Sequence, residues 1–442
     1  MAQARLRRRP IARRRVPAAG AAALQPVVVL IGDGGAAALS PYVRRASEVV
    51  APLPAQSRRR AIWARGVSIP EGTMPKVLYV GLDVHKASLS VSVAEDGRNG
   101  PVNFVGAIPN TPIALAKLAK RLAKDDCRLE FCYEAGGCGY GIYRQILKLG
   151  HGCTVVATSM IPRKPGERIK TDRRDSQKLA ILHRSGELTR VWVPDETHEA
   201  MRDLTRARVD ASMQLMRARQ QLLAFLLRHG RTYEAGKHWT QRHRSWLAGQ
   251  TFNQAAHHVV FQDYLEAVWS AQDRRDELVR RITAMSAAWS MGPLVEALRG
   301  LRGLDFVSAV TFVAAIGDLG RFEAPRQLMS YLGLVPSEQS SGERVRRGGI
   351  TKTGNCEARR MLIEAAWSYR YPPRVAKEKA EIVVRLPKPV RDIAWKAQLR
   401  LCQRFRALSA SGKKPTVVVA AIARELSGFV WAIGQEVKPA AL

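Results

Sequence analysis

Between residues 76 and 157 the apolar residues fall into runs of two periods, and the order of those runs leaves few folds open. The run 77–84 is mostly apolar and fit for a buried central strand, and 88–94 alternates through Leu89, Ser90, Val91, Ser92 and Val93 with period two. After the turn signal Asp96-Gly97, the stretch 102–108 reads as a third strand. A helix follows, capped by Asn110, with Pro112 near its first turn and Leu115, Leu118 and Leu122 on one face. The stretch 128–133 is a fourth strand ending at Glu134, ahead of the breakers Gly136 and Gly137. Residues 140–149 then read as a helix and 153–157 as a fifth strand. The last helix of the series opens at Thr171, a suitable N-cap, and runs into Leu179, Ala180, Ile181 and Leu182.

Three strands followed by alternating helices and strands is the order of the ribonuclease-H-like α/β fold. In that order the first and fourth strands are central neighbours and the last helix packs across them. Asp83 lies in the first strand, and Glu134 lies at the C-terminal end of the fourth, where open α/β sheets place their sites. The run Lys170-Thr171-Asp172-Arg173-Arg174-Asp175 puts two carboxylates three residues apart, on one helix face. Asp172 and Asp175 alone also suit a solvated helix start neutralised by Arg173 and Arg174, because acids favour a first turn. The two upstream carboxylates tip the balance, since Asp83, Glu134, Asp172 and Asp175 would converge. Four carboxylates without a His or Cys ligand set select a hard cation, Mg²⁺ or Mn²⁺, and two such ions about 4 Å apart are the usual machinery of phosphodiester chemistry. His85 and Lys86 suit a solvated strand end as well as a phosphate contact.

Charge names the partner class. Lys and Arg number 71 against 38 acids, a net charge of +33, which suits polyanions and makes nucleic acid the expected partner. Residues 1–73 hold thirteen Arg and no Lys against three acids and show no sustained period, so Met74 is read as the start of the folded part. The stretch before it is a basic extension, either disordered or translated from an upstream start. Six cysteines without a C-x-x-C pair argue against a zinc ribbon or a disulfide framework and for reduced thiols in the cytoplasm. No apolar run is expected to approach the roughly 20 residues of a membrane span, and 16–32 makes a poor signal peptide because Pro17 and Gln25 interrupt it.

Residues 193–290 read as a helical hairpin or coiled-coil spacer. Leu204, Ala211, Leu215, Ala218, Leu222 and Phe225 step by threes and fours, as do Tyr264, Val268, Ala271, Leu278, Ile282, Met285 and Trp289. Arg208 and Arg275 stand at seam positions, and the joining segment 231–258, rich in Arg, His and Trp, has no assignable period. Residues 291–442 read as mainly helical. Gly300 and Gly303 separate two helix-like stretches, a pattern open to two readings: a helix-hairpin-helix element whose backbone N–H groups meet phosphate, or a plain helical turn. The stretch 333–355 is a polar, glycine-rich loop with Arg344, Arg346, Arg347 and Lys352, suited to holding a phosphate, although composition alone favours a flexible surface loop. Helices are expected around Met361 to Tyr369, over 394–408 and over 416–433.

The run Tyr79-Val80-Gly81-Leu82-Asp83-Val84-His85-Lys86, the strand end Tyr133-Glu134-Ala135 and the run from Lys170 to Asp175 together resemble the DEDD transposases of bacterial insertion sequences, the insertion sequence 110 family. The resemblance extends from about Met74 to near the C-terminus. It implies an N-terminal domain, 74–192, similar to the Holliday-junction resolvase RuvC, and a C-terminal transposase domain whose serine before a glycine is a catalytic nucleophile. That residue is Ser341, with Ser340 beside it leaving the register open by one. It further implies a site-specific DNA recombinase that uses Mg²⁺ (or Mn²⁺), works as a homo-oligomer and in many members is guided by a structured non-coding RNA. Lys86, Arg173 and Arg174 join the loop cations as candidate nucleic-acid contacts. Two other readings remain open at the level of sequence: a junction-resolving nuclease that uses water, and a basic architectural DNA- or RNA-binding protein without catalysis.

Overall fold

The computed structural model describes residues 76–124, 127–162, 170–342 and 344–437, so the basic extension 1–73 lies outside the described residues. A mixed five-stranded sheet comes first, formed by β1 (Val77–Val84), β2 (Ser88–Glu95), β3 (Val102–Pro109), β4 (Arg128–Glu134) and β5 (Gly152–Val156). Its spatial order is β3-β2-β1-β4-β5. β2 is antiparallel to both β1 and β3, while β4 runs parallel to β1 and to β5. The register sets Leu82 beside Tyr133, so Asp83 and Glu134 stand one step further along, at neighbouring strand ends.

Helices cover both faces, which is why β2 is buried on its serine side as well as its valine side. On one face Leu89, Val91 and Val93 join Leu115 and Leu118 of α1 (Pro112–Leu122) and Ile142 and Ile146 of α2 (Gly141–Lys148) in the main core. On the other face lies α3 (Asp172–Arg184). There the buried Ser92 and Ser176 hydroxyls meet at 2.8 Å, and the Cys132 thiol donates to the Leu179 carbonyl. Gly81 lets the helix come this close: a Cβ there would lie 2.3 Å from the Ser176 carbonyl oxygen. Tyr79, also on this face, meets the His183 ring edge-on. α3 therefore runs against the direction of β1, with its first turn over the C-terminal end of the strand.

The cap of α1 differs from the expectation. Thr111, not Asn110, accepts the Ala114 N–H, and Asn110 ties the β1–β2 turn instead, donating through its side chain to the His85 carbonyl. A local cap competes here with a longer-range bond, and composition cannot tell them apart.

The remainder is mainly helical. α4 (Glu196–Arg228) and α6 (Ala255–Ser286) pack side by side, burying Leu215, Leu222 and Phe225 against Phe261 and Val268. Met285, placed on the seam by its spacing, is 55% exposed because α6 is ending there. The unassigned segment 231–258 forms α5 (Gln241–Ala248) and a ring-packed cap at the far end of the hairpin. His243 is stacked on Trp246, the Arg219 guanidinium lies over Trp239, and Arg231 lies over Phe252.

α7 (Gly292–Leu298), α8 (Phe306–Ile316) and α9 (Pro325–Tyr331) lead to a two-stranded hairpin, β6 (Pro336–Glu338) and β7 (Arg347–Ile350). α10 (Cys356–Ala366), α11 (Lys377–Arg385), α12 (Lys388–Ala410) and α13 (Pro415–Glu436) follow. α8 is buried along 309–316, and its last carbonyls are taken from α4: the His198 ring lies 2.9 Å from the Ala314 carbonyl, while Arg202 donates to Ala314 and Ala315. That junction joins α4 firmly to the C-terminal helices. α13 overturns the expectation about apolar runs, because its length and composition are sufficient for a membrane span. Its Val418, Ile422, Leu426 and Val430 are buried within this chain, where it packs on α9, α10 and α12.

Candidate active site

Asp83 is the penultimate residue of β1, and Asp172 is the first residue of α3. The antiparallel passage of α3 over β1 brings them to the same edge of the sheet, and His85, in the β1–β2 turn, lies between them. Its Nε2 is 3.3 Å from Asp83 Oδ2 and 3.6 Å from Asp172 Oδ1. The donor atoms of these three side chains lie within 4.8 Å of one another, which makes them the group suited to a shared cation among the described residues. Asp175 shares the helix face and is close enough for its charge to act on Asp83. Glu134 follows Cys132 by two residues on the face that meets α3, at the strand end beside Asp83.

The electrostatics are those of a partly buried acidic site with His85 and Lys170 beside it. Burial pushes the Asp83 carboxyl above its ordinary range; the positive pole of His85 counters this, and the charges of Asp172 and Asp175 add to the rise. Local neutralisation by Arg173 and Arg174, the alternative reading of this helix start, takes another form. The Arg173 guanidinium lies over the Phe104 ring, while Lys170 reaches Asp175 at 3.8 Å. Side-chain exposure rises from 19% at Asp83 to 63% at Asp172, so the cluster has a shielded floor and an open rim. Thr171 caps α3 by accepting the Arg174 N–H, which fixes the first turn on which both aspartates stand.

Sequence reasoning left His85 between a solvated strand end and a phosphate contact and did not join it to the carboxylates, as the structure does. Its place depends on the turn being held on both sides: the His85 N–H donates to the Ser88 carbonyl, and Asn110 grips the His85 carbonyl from the end of β3. The available signal was its spacing of two from Asp83.

The glycine-rich loop is a hairpin, with Ser340 and Ser341 at its exposed tip. Ser341 and Arg344 exchange backbone hydrogen bonds across the turn, and Gly342 between them has φ 56°, a conformation that favours glycine. The Ser340 hydroxyl is engaged, donating to Glu338 and accepting the Arg346 N–H. That of Ser341 has no partner among the described residues. Arg344, Arg346 and Lys352 are exposed, and Arg347 pairs with Glu338 at 3.4 Å. No hydrogen bond or ion pair joins this hairpin to the Asp83 cluster among the described residues.

Two family models cover most of the described chain. A transposase model for the DEDD proteins of IS110 elements matches residues 80–230, and the model described as "Transposase IS116/IS110/IS902 family" matches residues 295–379. The chain is 51% identical over 360 residues to a putative transposase of Sinorhizobium fredii, a match spanning 81% of this chain and 89% of that protein. It is 31% identical over 348 residues to the transposase for insertion sequence element IS1533 of Leptospira borgpetersenii, spanning 77% of this chain and 99% of that protein. The chain belongs to the IS110 family of insertion-sequence transposases. It is thus a DNA recombination enzyme.

In this transposase the carboxylates lie in the first matched region and Ser341 in the second. Gly300 and Gly303, also in the second, are turned into the fold. A Cβ on Gly300 would strike Leu386, and one on Gly303, at φ 83°, would lie 2.4 Å from the Ala365 carbonyl oxygen. The carbonyls of Arg299, Leu301 and Leu304 all accept from Lys379 Nζ, whose pKa burial lowers to about 8. The geometry of this turn is therefore that of close helix packing. Lys86 and Arg174 are exposed beside the carboxylates.

Proposed function

We propose that the α/β part of the transposase is a ribonuclease-H-like, RuvC-like core in which Asp83, Glu134, Asp172 and Asp175 hold Mg²⁺ or Mn²⁺, and that Ser341 is the nucleophile of DNA strand transfer. The observation that carries the reading is the meeting of Asp83 and Asp172 at one sheet edge, with Asp83 made more basic by burial and by its acidic neighbours. That donor set fits a hard divalent ion, which when bound polarises the scissile phosphate and stabilises the leaving oxygen.

In this reading Ser341 Oγ attacks phosphorus. The Oγ–P bond forms as the P–O bond to the departing DNA end breaks, and the serine proton leaves with that end. Attack by another DNA hydroxyl on the serine ester reverses these steps and joins the new strand. A hydroxyl without a partner among the described residues favours Ser341 over Ser340, whose oxygen is occupied on both sides. A serine hydroxyl is a weak nucleophile unless activated, so the hairpin has to reach a carboxylate cluster. That no hydrogen bond or ion pair joins the hairpin to Asp83, His85 or Asp172 among the described residues supports a homo-oligomer in which one copy's hairpin serves the carboxylates of another. A net charge of +33 supports the binding of DNA together with a structured guide RNA.

The test is cleavage of an insertion-sequence end by the full chain. Asp83→Asn, Glu134→Gln, Asp172→Asn and Asp175→Asn should each abolish cleavage while DNA binding persists, since none removes a basic contact. Wild-type cleavage in EDTA contradicts the reading.

A further inference from the structure

We propose that His85 is a ligand of the cation held by Asp83 and Asp172, and that it biases the site towards a transition ion, probed here as Mn²⁺, over Mg²⁺. This rests on the carboxylate site proposed above and adds a residue to it. The imidazole is not a bystander on the rim: its Nε2 lies 3.3 Å from a carboxylate oxygen on β1 and 3.6 Å from one on α3, each inside the span of two donors on one ion, and the three donors lie within 4.8 Å of one another. Two oxygens bound at about 2.1 Å lie at most about 4.2 Å apart. Binding would use the tautomer that carries the ring proton on Nδ1, which leaves the Nε2 lone pair for the ion in place of the hydrogen bond to Asp83.

The turn that presents the ring is built to hold it. Asn110 closes the turn with two hydrogen bonds, from its side chain to the His85 carbonyl and from its backbone N–H to the Ala87 carbonyl, and the His85 N–H donates to the Ser88 carbonyl. A side chain needed only for solubility calls for no such clamp. The consequence for selectivity is chemical. Mg²⁺ takes oxygen donors and keeps its waters, whereas first-row transition ions accept an imidazole nitrogen readily, so one nitrogen among the carboxylates raises affinity for Mn²⁺ without doing the same for Mg²⁺.

The experiment uses the full-length protein, with Mn²⁺ as probe and Mg²⁺ as competitor, and reads binding by electron paramagnetic resonance rather than by activity. Bound Mn²⁺ should show a nitrogen coupling in pulsed spectra that His85→Ala lacks. The same substitution should weaken Mn²⁺ binding by about tenfold or more while changing Mg²⁺ binding little. His85 is exposed, so the variant should fold. Mn²⁺ that binds and is lost in Asp83→Asn, but shows no nitrogen coupling or binds His85→Ala equally well, overturns the role of His85 and leaves the carboxylate site standing. Mn²⁺ binding that survives Asp83→Asn, or none in the wild type, overturns both.

Discussion

A methyl group on Gly81 would sit 2.3 Å from the Ser176 carbonyl oxygen and 2.5 Å from the Ala180 nitrogen, so β1 and α3 touch through bare backbone. Since Asp83 stands two residues beyond Gly81 and Asp172 four before Ser176, this one contact sets how closely the two carboxylates approach.

Gly81→Ala should therefore act on both stability and chemistry. Overpacking of this kind costs about 1–3 kcal/mol, and lifting α3 off β1 moves Asp172 and Asp175 away from Asp83. Strand cleavage should fall sharply in protein that still binds DNA. Gly137→Ala is the control, because a Cβ there meets nothing within 4 Å. Thermal unfolding and cleavage of both variants check this, and equal behaviour would show that α3 is not held by that contact.

The strands were legible because their apolar runs and turn signals are local. The three-residue spacing of the helical carboxylates was legible for the same reason, since Thr171, Asp172 and Asp175 share a single helical turn. What was not legible depends on distant partners. His85 joins the cluster only because α3 crosses β1 and Asn110 pins the turn. The hairpin bearing Ser341 was hidden because Arg347, Gly348 and Gly349 carry no strand-like alternation, and the 231–258 segment because rings packing on rings, His243 on Trp246 among them, leave no period. α13 was expected as a helix over 416–433, but its span-like apolar length escaped because Arg424 and Glu425 break the apolar run in sequence while the buried face continues past them.

Acid should loosen the junction between α4 and α8. His198 is buried, with Nε2 at the Ala314 carbonyl and Nδ1 without a partner among the described residues, and burial lowers its pKa to about 4. The sign follows from its folded pKa lying below the unfolded value of about 6.5. Below pH 6.5 the unfolded chain takes up a proton that the folded one refuses, so stability is lost as pH falls towards 4, by at most about 3 kcal/mol from this residue. Half-buried His183, also lowered to about 4 by desolvation, adds to the same slope. Denaturant unfolding at pH 7.5 and pH 5 should show a drop in stability for the wild type that is smaller in His198→Gln. An equal drop in both would remove His198 from the account.

The most direct measurement of the central claim is the chemical identity of the residue that carries DNA in mid-reaction. A substrate trapped after the first cleavage, digested with nuclease and proteases and read by mass spectrometry, should yield a nucleotide on Ser341. Ser341→Ala should give neither adduct nor cleavage while keeping its DNA affinity, and Ser340→Ala, whose hydroxyl already serves Glu338 and Arg346, should still form the adduct. Cleavage by the wild type with no protein–DNA adduct, or by Ser341→Ala at the wild-type rate, would contradict the serine mechanism and leave water as the nucleophile.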